Sequence, residues 1–137
     1  MKVVLDTNIL VSALITPNGI GAQIIDAWNM GHFTMLSHDV WLAEIRDVTR
    51  RPAIAARIRR IDAARLVNRL ARSCEQIETI ARVVRSPDPF DDFLLGIAET
   101  GGADWLVTGD KAGLLALERH GQTQIVSARA FHTLLKL

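Results

Sequence analysis

The apolar triplet Val3-Val4-Leu5 stops at Asp6-Thr7-Asn8 and gives way at once to Ile9, Leu10, Ala13 and Leu14 at helical spacing. No other stretch constrains the fold as much. A β-branched run without polar alternation reads as a strand buried on both faces. The three small polar residues after it favour a turn or a helix cap. A buried strand that delivers a carboxylate to its own carboxyl end is a common opening for an α/β active site.

A second strand ends in the same way. Trp105-Leu106-Val107 runs through Thr108-Gly109 into Asp110. Between these two junctions the periodicity switches repeatedly. A helix is expected over 21–30, with Ile24, Ile25 and Trp28 inward and Gly31 as its stop; a strand follows over 33–36. Ser37 is the expected cap of the next helix, whose stripe is Trp41, Leu42, Ile45 and Val48 and whose end is marked by Pro52. A short Ala- and Arg-rich helix is expected over 53–60. Asp62 then caps a helix with Ala63, Leu66, Val67, Leu70, Ala71 and Cys74 on one face. Residues 76–85 carry little periodicity beyond a short strand near Ile77. Asp88 and Pro89 read as cap and first residue of a helix that ends at Gly101-Gly102. Residues 111–119 read as helix, 123–126 as strand, and 128–136 as a last helix with Phe131, Leu134 and Leu135 inward. Strands alternating with helices imply an α/β fold: one parallel sheet with helices on both faces, and one domain over residues 1–137.

Composition removes several function classes. Apolar residues make up 49% of the chain, which argues against disorder. No apolar run reaches the roughly 18–20 residues that a membrane span needs. Asp6 and Asn8 interrupt the first apolar stretch, so a secretory signal is not expected. A single cysteine, Cys74, leaves no internal disulfide and no multi-cysteine zinc site. A soluble, cytoplasmic protein is the expectation.

Net charge is only +1, but its distribution is uneven. Nine arginines stand between positions 44 and 72 against Glu44, Asp47 and Asp62. The stretch 88–110 holds Asp88, Asp91, Asp92, Glu99, Asp104 and Asp110 and no basic residue. A basic region near an acidic one suits an enzyme that grips a polyanion and cuts it with metal ions. The plainer reading is a solvated helical face.

Asp6 and Asp110 fall at the same sheet edge if their strands are parallel. Asp91 lies in the first turn of a helix entered from that edge, and Glu44 in the second turn of the helix after the second strand. Singly, Asp6 and Asp110 could be helix caps, Asp91 a partner of the helix dipole, and Glu44 an ordinary surface residue. Jointly, four carboxylates repel one another unless a cation sits among them. An all-oxygen set suits Mg²⁺ or Mn²⁺ rather than zinc. Asp91 is preferred to Asp92 because Leu94, Leu95 and Ala98 follow it on one helix face, whereas Asp92 leads to Leu95, Gly96 and Glu99. Asp92 stays the alternative. Cys74 and the three tryptophans read as packing, and the scattered histidines as non-ligands.

Four segments, in this order, resemble the PIN-domain ribonucleases that act as VapC-like toxins in bacterial and archaeal toxin–antitoxin pairs. They are Val4-Leu5-Asp6-Thr7-Asn8-Ile9-Leu10, then Ser37 to Ile45 with Arg50-Arg51-Pro52, then Asp88-Pro89-Phe90-Asp91-Asp92-Phe93-Leu94-Leu95, and finally Gly102 to Asp110. The resemblance implies a three-layer α/β/α fold with a central, mainly parallel sheet. It implies metal-dependent hydrolysis of RNA with one or two Mg²⁺ (or Mn²⁺) ions on Asp6, Glu44, Asp91 and Asp110. Asn8 and Thr108 would orient those ligands or contact the phosphate, and Arg46, Arg50, Arg51, Arg65 and Arg69 are candidates for holding RNA. A homodimer and an antitoxin whose peptide covers the acidic site are implied as partners. Lys111-Ala112-Gly113 stands where many relatives carry a further acidic residue. The competing expectation is a catalytically silent PIN module that binds RNA or a protein partner. Asp6-Thr7-Asn8 is neither a glycine-rich dinucleotide turn nor the start of an Asp-x-Asp phosphotransferase motif.

Overall fold

The computed structural model describes residues 1–109 and 112–137. Its centre is a six-stranded sheet in the order β3-β2-β1-β4-β6-β5. The strands are β1 (Lys2–Leu5), β2 (Thr34–Ser37), β3 (Glu75–Gln76), β4 (Trp105–Val107), β5 (Arg119–His120) and β6 (Thr123–Val126). All pairings are parallel except that of β5 with β6, a hairpin at one edge. Val3, Val4, Leu5, Leu106 and Val107 are wholly buried, as a strand covered by helices on both faces requires. Leu5 pairs with Val107, so the residues that follow β1 and β4 leave the sheet side by side.

Eight helices complete the three-layer α/β/α architecture among the described residues: α1 (Thr7–Ile15), α2 (Ile20–Asn29), α3 (Asp39–Arg50), α4 (Pro52–Ala55), α5 (Arg60–Ser73), α6 (Pro89–Gly101), α7 (Leu114–Leu117) and α8 (Ala128–Leu135). Helix α6 packs against β1, β2 and β4, while α2 packs against α1 and α8 and α3 against α1 and α5. Gly31 (φ 83°) and Gly102 (φ 66°) follow α2 and α6 in the left-handed region, where a side chain would be strained. No single described helix is long and apolar enough to cross a membrane.

Several local expectations are corrected. His38, not Ser37, caps α3: its Nδ1 accepts from the Val40 amide at 3.0 Å, and Ser37 belongs to β2. The cap of α5 is Arg59, and Asp62 sits in the first turn. The helix expected over 53–60 is one turn, and Pro52 opens it rather than closing α3 alone. The helix expected over 111–119 shrinks to α7, and the edge strand β5 follows it. Ala71 and Leu134 are exposed rather than inward; both sit at the margins of otherwise buried stripes. The strand expected near Ile77 is the two-residue β3 just before it.

Candidate metal-binding active site

Asp6 occupies the N-cap position of α1 but makes no side-chain cap bond there. Its amide donates to the Val107 carbonyl at 2.9 Å, continuing the β1–β4 ladder one step past the strand. Its Oδ2 accepts from the Thr108 hydroxyl at 2.7 Å. Both side chains are buried, so the hydroxyl fixes the carboxylate where water does not compete. The equivalent exits of two adjacent strands thus hold each other.

Glu44 comes in on α3. The Trp41 indole, wholly buried, donates to the Leu5 carbonyl at 2.8 Å and pins that helix to the end of β1. One turn on, Glu44 is half-buried, with the Arg51 guanidinium 4.0 Å away. The same guanidinium lies 3.1 Å from Asp47.

Asp91 and Asp92 diverge as their helix faces require. Asp91 is buried. Asp92 turns back: its Oδ1 accepts from the amides of Arg85 and Ser86 at 3.0 and 2.9 Å. Asp88 caps α6 through the Phe90 amide at 2.9 Å, with Pro89 at the first helical position.

One cavity of about 640 Å³ gathers these groups; Asp6, Glu44, Asp88 and Asp91 line it together with Thr7 and Asn8. The Thr7 hydroxyl is buried and has no hydrogen-bond partner among the described residues. Carboxylate and hydroxyl oxygens, with no sulfur and no imidazole among the described lining residues, form a donor set suited to a hard divalent cation. Among the described residues no three carboxylates, histidines or cysteines stand close enough to hold one ion. Asp110, the fourth acidic candidate, lies outside the described residues.

The five arginine candidates are spread over different faces. Arg51 lines the acidic cavity. Arg46 and Arg50 line a second cavity between α3 and α5. Arg69 lines a third with Trp28 and Phe33, and Arg65 is exposed on α5. Two charged residues at the acidic cavity lie outside the expected site, Arg57 and the α6 cap Asp88. Arg57 carries no sequence signal beyond its place in a short helical turn.

A family model described as PIN domain matches residues 2–112. The crystal structure of PAE2754 from Pyrobaculum aerophilum superposes with a TM-score of 0.66 at 19% identity, covering 99% of this chain and 90% of that one. At that identity the likeness concerns the fold. No curated protein matches the sequence closely enough to count as a relative.

Proposed function

The chain belongs to the PIN-domain family, whose members are generally nucleases, and from that premise we propose that it is a metal-dependent endoribonuclease serving as the toxin of a toxin–antitoxin pair. The observation that carries the nuclease reading is the meeting of Asp6, Glu44 and Asp91, from three distant elements, in one cavity. Asp6, Glu44, Asp91 and Asp110 would hold one or two Mg²⁺ or Mn²⁺ ions. A bound ion of this kind supplies charge neutralisation at a phosphate and a lower pKa for bound water. Thr108 keeps the Asp6 carboxylate in one orientation. Asn8, exposed at the rim, offers its amide to a phosphate oxygen, and Arg51 and Arg57 offer guanidinium groups to the flanking phosphates. One carboxylate acts as general base for the attacking water.

A labelled single-stranded RNA incubated with Mn²⁺, with and without chelator, tests this directly. Cleavage is expected only with the metal. Asp6→Asn is expected to abolish it while circular dichroism and melting stay those of a folded protein. Wild-type cleavage by that variant would sink the assignment. A catalytically silent PIN module that binds RNA or a protein partner is the second reading, in keeping with the finding that no three such side chains among the described residues are grouped to hold an ion. It predicts no metal-dependent cleavage at all.

The toxin role rests on the resemblance of the four acidic segments. It implies a cytoplasmic homodimer, residues 1–137 acting as a single PIN-like domain, and an antitoxin peptide covering the acidic cavity. Expression of the chain alone should arrest growth, Asp6→Asn should not, and a neighbouring gene for a small protein should relieve the arrest.

A further inference from the structure

The second cavity, of about 700 Å³, lies between α3 and α5 with α4 as its wall. Arg46, Arg50 and Arg60 line it, together with the buried Ala63 and Val67, the exposed Ala64 and the polar Thr49 and Asn68. Among the described residues no carboxylate lines it. Among the described residues none of the three arginines forms an ion pair or a side-chain hydrogen bond. Arg50 has a local reason to be there, since the C-terminal turn of α3 favours a cation. Arg60 has the opposite: it is the first residue of α5, where the helix dipole disfavours positive charge. Three guanidinium groups at one groove, one of them against a dipole, form a site whose repulsion an anion would relieve.

The rest of the lining bears on what that anion is. Ala63, Ala64 and Val67 set an apolar stretch beside the arginines, suited to a flat group attached to the phosphate. Guanidinium planes stack on nucleobases and bind phosphates through paired donors. A second copy of this chain related by a two-fold axis would bring arginines against arginines. The groove also adjoins the acidic cavity. Arg51, Ile54 and Arg57 face that cavity, whereas Arg50, Ala55 and Ile58 face the groove, so α4 is the ridge between them.

We propose that the α3–α5 groove is a nucleotide subsite for single-stranded RNA. It takes a base against Ala63 and Ala64 and the adjoining phosphates on Arg46, Arg50 and Arg60, across the α4 ridge from the scissile bond. This rests on the ribonuclease reading above and adds to it the place where the substrate is held.

Fluorescence anisotropy of a labelled single-stranded RNA, with metal chelated to prevent cleavage, tests it over a salt series. Arg46→Ala/Arg50→Ala is expected to weaken binding about tenfold or more and to flatten the salt dependence. Ala64→Leu crowds the apolar stretch without touching charge and is expected to weaken binding about tenfold as well, with the salt slope unchanged. Matched melting temperatures and sedimentation accompany each variant. If only the arginine pair matters, the groove is a diffuse charge and the subsite is wrong. If either variant shifts the oligomeric state and leaves RNA affinity intact, the groove belongs to a protein partner and the proposal falls. RNA binding by the wild type that no variant disturbs overturns the subsite and leaves the nuclease reading standing; no RNA binding at all overturns both.

Discussion

Thr108 does at the acidic cavity what no surface threonine can. It is wholly buried at the end of β4 and donates a hydrogen bond to a carboxylate at the end of β1. A hydrogen bond to a charged group contributes about 1.5–3 kcal/mol, and its loss leaves a buried acceptor short of a donor. Thr108→Val keeps the shape and removes the donor. Its urea-unfolding free energy should fall by about 1–3 kcal/mol. Cleavage should fall with it, because the Asp6 carboxylate loses its fixed orientation. Unchanged stability would mean that the bond adds nothing. Cys74 offers a residue-scale test of a different kind. Burial pushes its thiol from 9.0 up to about 12, because the thiolate is poorly solvated inside the core. Below pH 9 both folded and unfolded chains carry the neutral thiol, so this group leaves stability unchanged. Between pH 9 and 12 the unfolded chain ionises first, and stability is lost as pH rises. Urea midpoints should therefore drop across that window in the wild type and drop less in Cys74→Ala. Iodoacetamide at pH 8 should spare the folded protein and label it in urea.

At the scale of elements, the segment 77–88 decides where α6 begins and hence where Asp91 points. It has almost no regular structure, yet each part of it is tied down. The Ile77 amide donates to the Ser37 carbonyl, and the His38 ring (Nε2) donates to the Glu78 carbonyl. The Ala81 amide donates to the Thr100 hydroxyl at 2.7 Å. The Arg85 guanidinium donates to the Arg119 carbonyl and to the His120 ring, whose other nitrogen meets Glu99. Gly96 lets this strap lie flat on α6: a Cβ there would stand 2.6 Å from the Ala81 carbonyl oxygen, a backbone atom that can give way only if the strap moves. Gly96→Ala should cost about 1–3 kcal/mol despite alanine's better helix propensity. Amides 81–86 should exchange faster with solvent, since the strap must lift. A stabilised Gly96→Ala variant would show that the strap is already loose. These ties also explain what the sequence could not reveal. Strands β1, β4 and β6 and helices α2, α3, α5 and α6 announce themselves because burial repeats along them. The strap is held by side chains that reach distant backbone atoms, which leaves no periodic trace. Strands β3 and β5, each two residues long, are too short to show a period of their own, and at the start of α3 a His38 ring nitrogen does the work expected of a serine hydroxyl.

The whole molecule gathers charge that an isolated sheet would avoid. The strand order puts β1 between β2 and β4, so Asp6 follows the central strand, Glu44 arrives on the helix after one neighbour, and Thr108 follows the other. That part of the site was legible because carboxyl strand ends in a parallel sheet share an edge, and the polar stops after Leu5 and Val107 mark them. The choice between Asp91 and Asp92 could be posed from helix spacing. The sequence held no hint that Asp92 anchors the strap or that Arg57 lines the cavity, because both depend on where an aperiodic segment lies. Clustered carboxylates oppose folding through mutual repulsion, and an ion that binds only the folded state reverses the sign. Two effects on melting follow from the proposed metal site. Saturating Mn²⁺, at about a hundred times its dissociation constant, should stabilise the wild type by about 2.7 kcal/mol and raise its melting temperature by several degrees. With Asp91 as a ligand, Asp91→Asn should lose most of that Mn²⁺ shift. With Asp91 as a purely structural carboxylate, the variant should keep the shift in full. A thermal scan of the two proteins with and without Mn²⁺ therefore separates a metal ligand from a structural carboxylate, without any need for the RNA target.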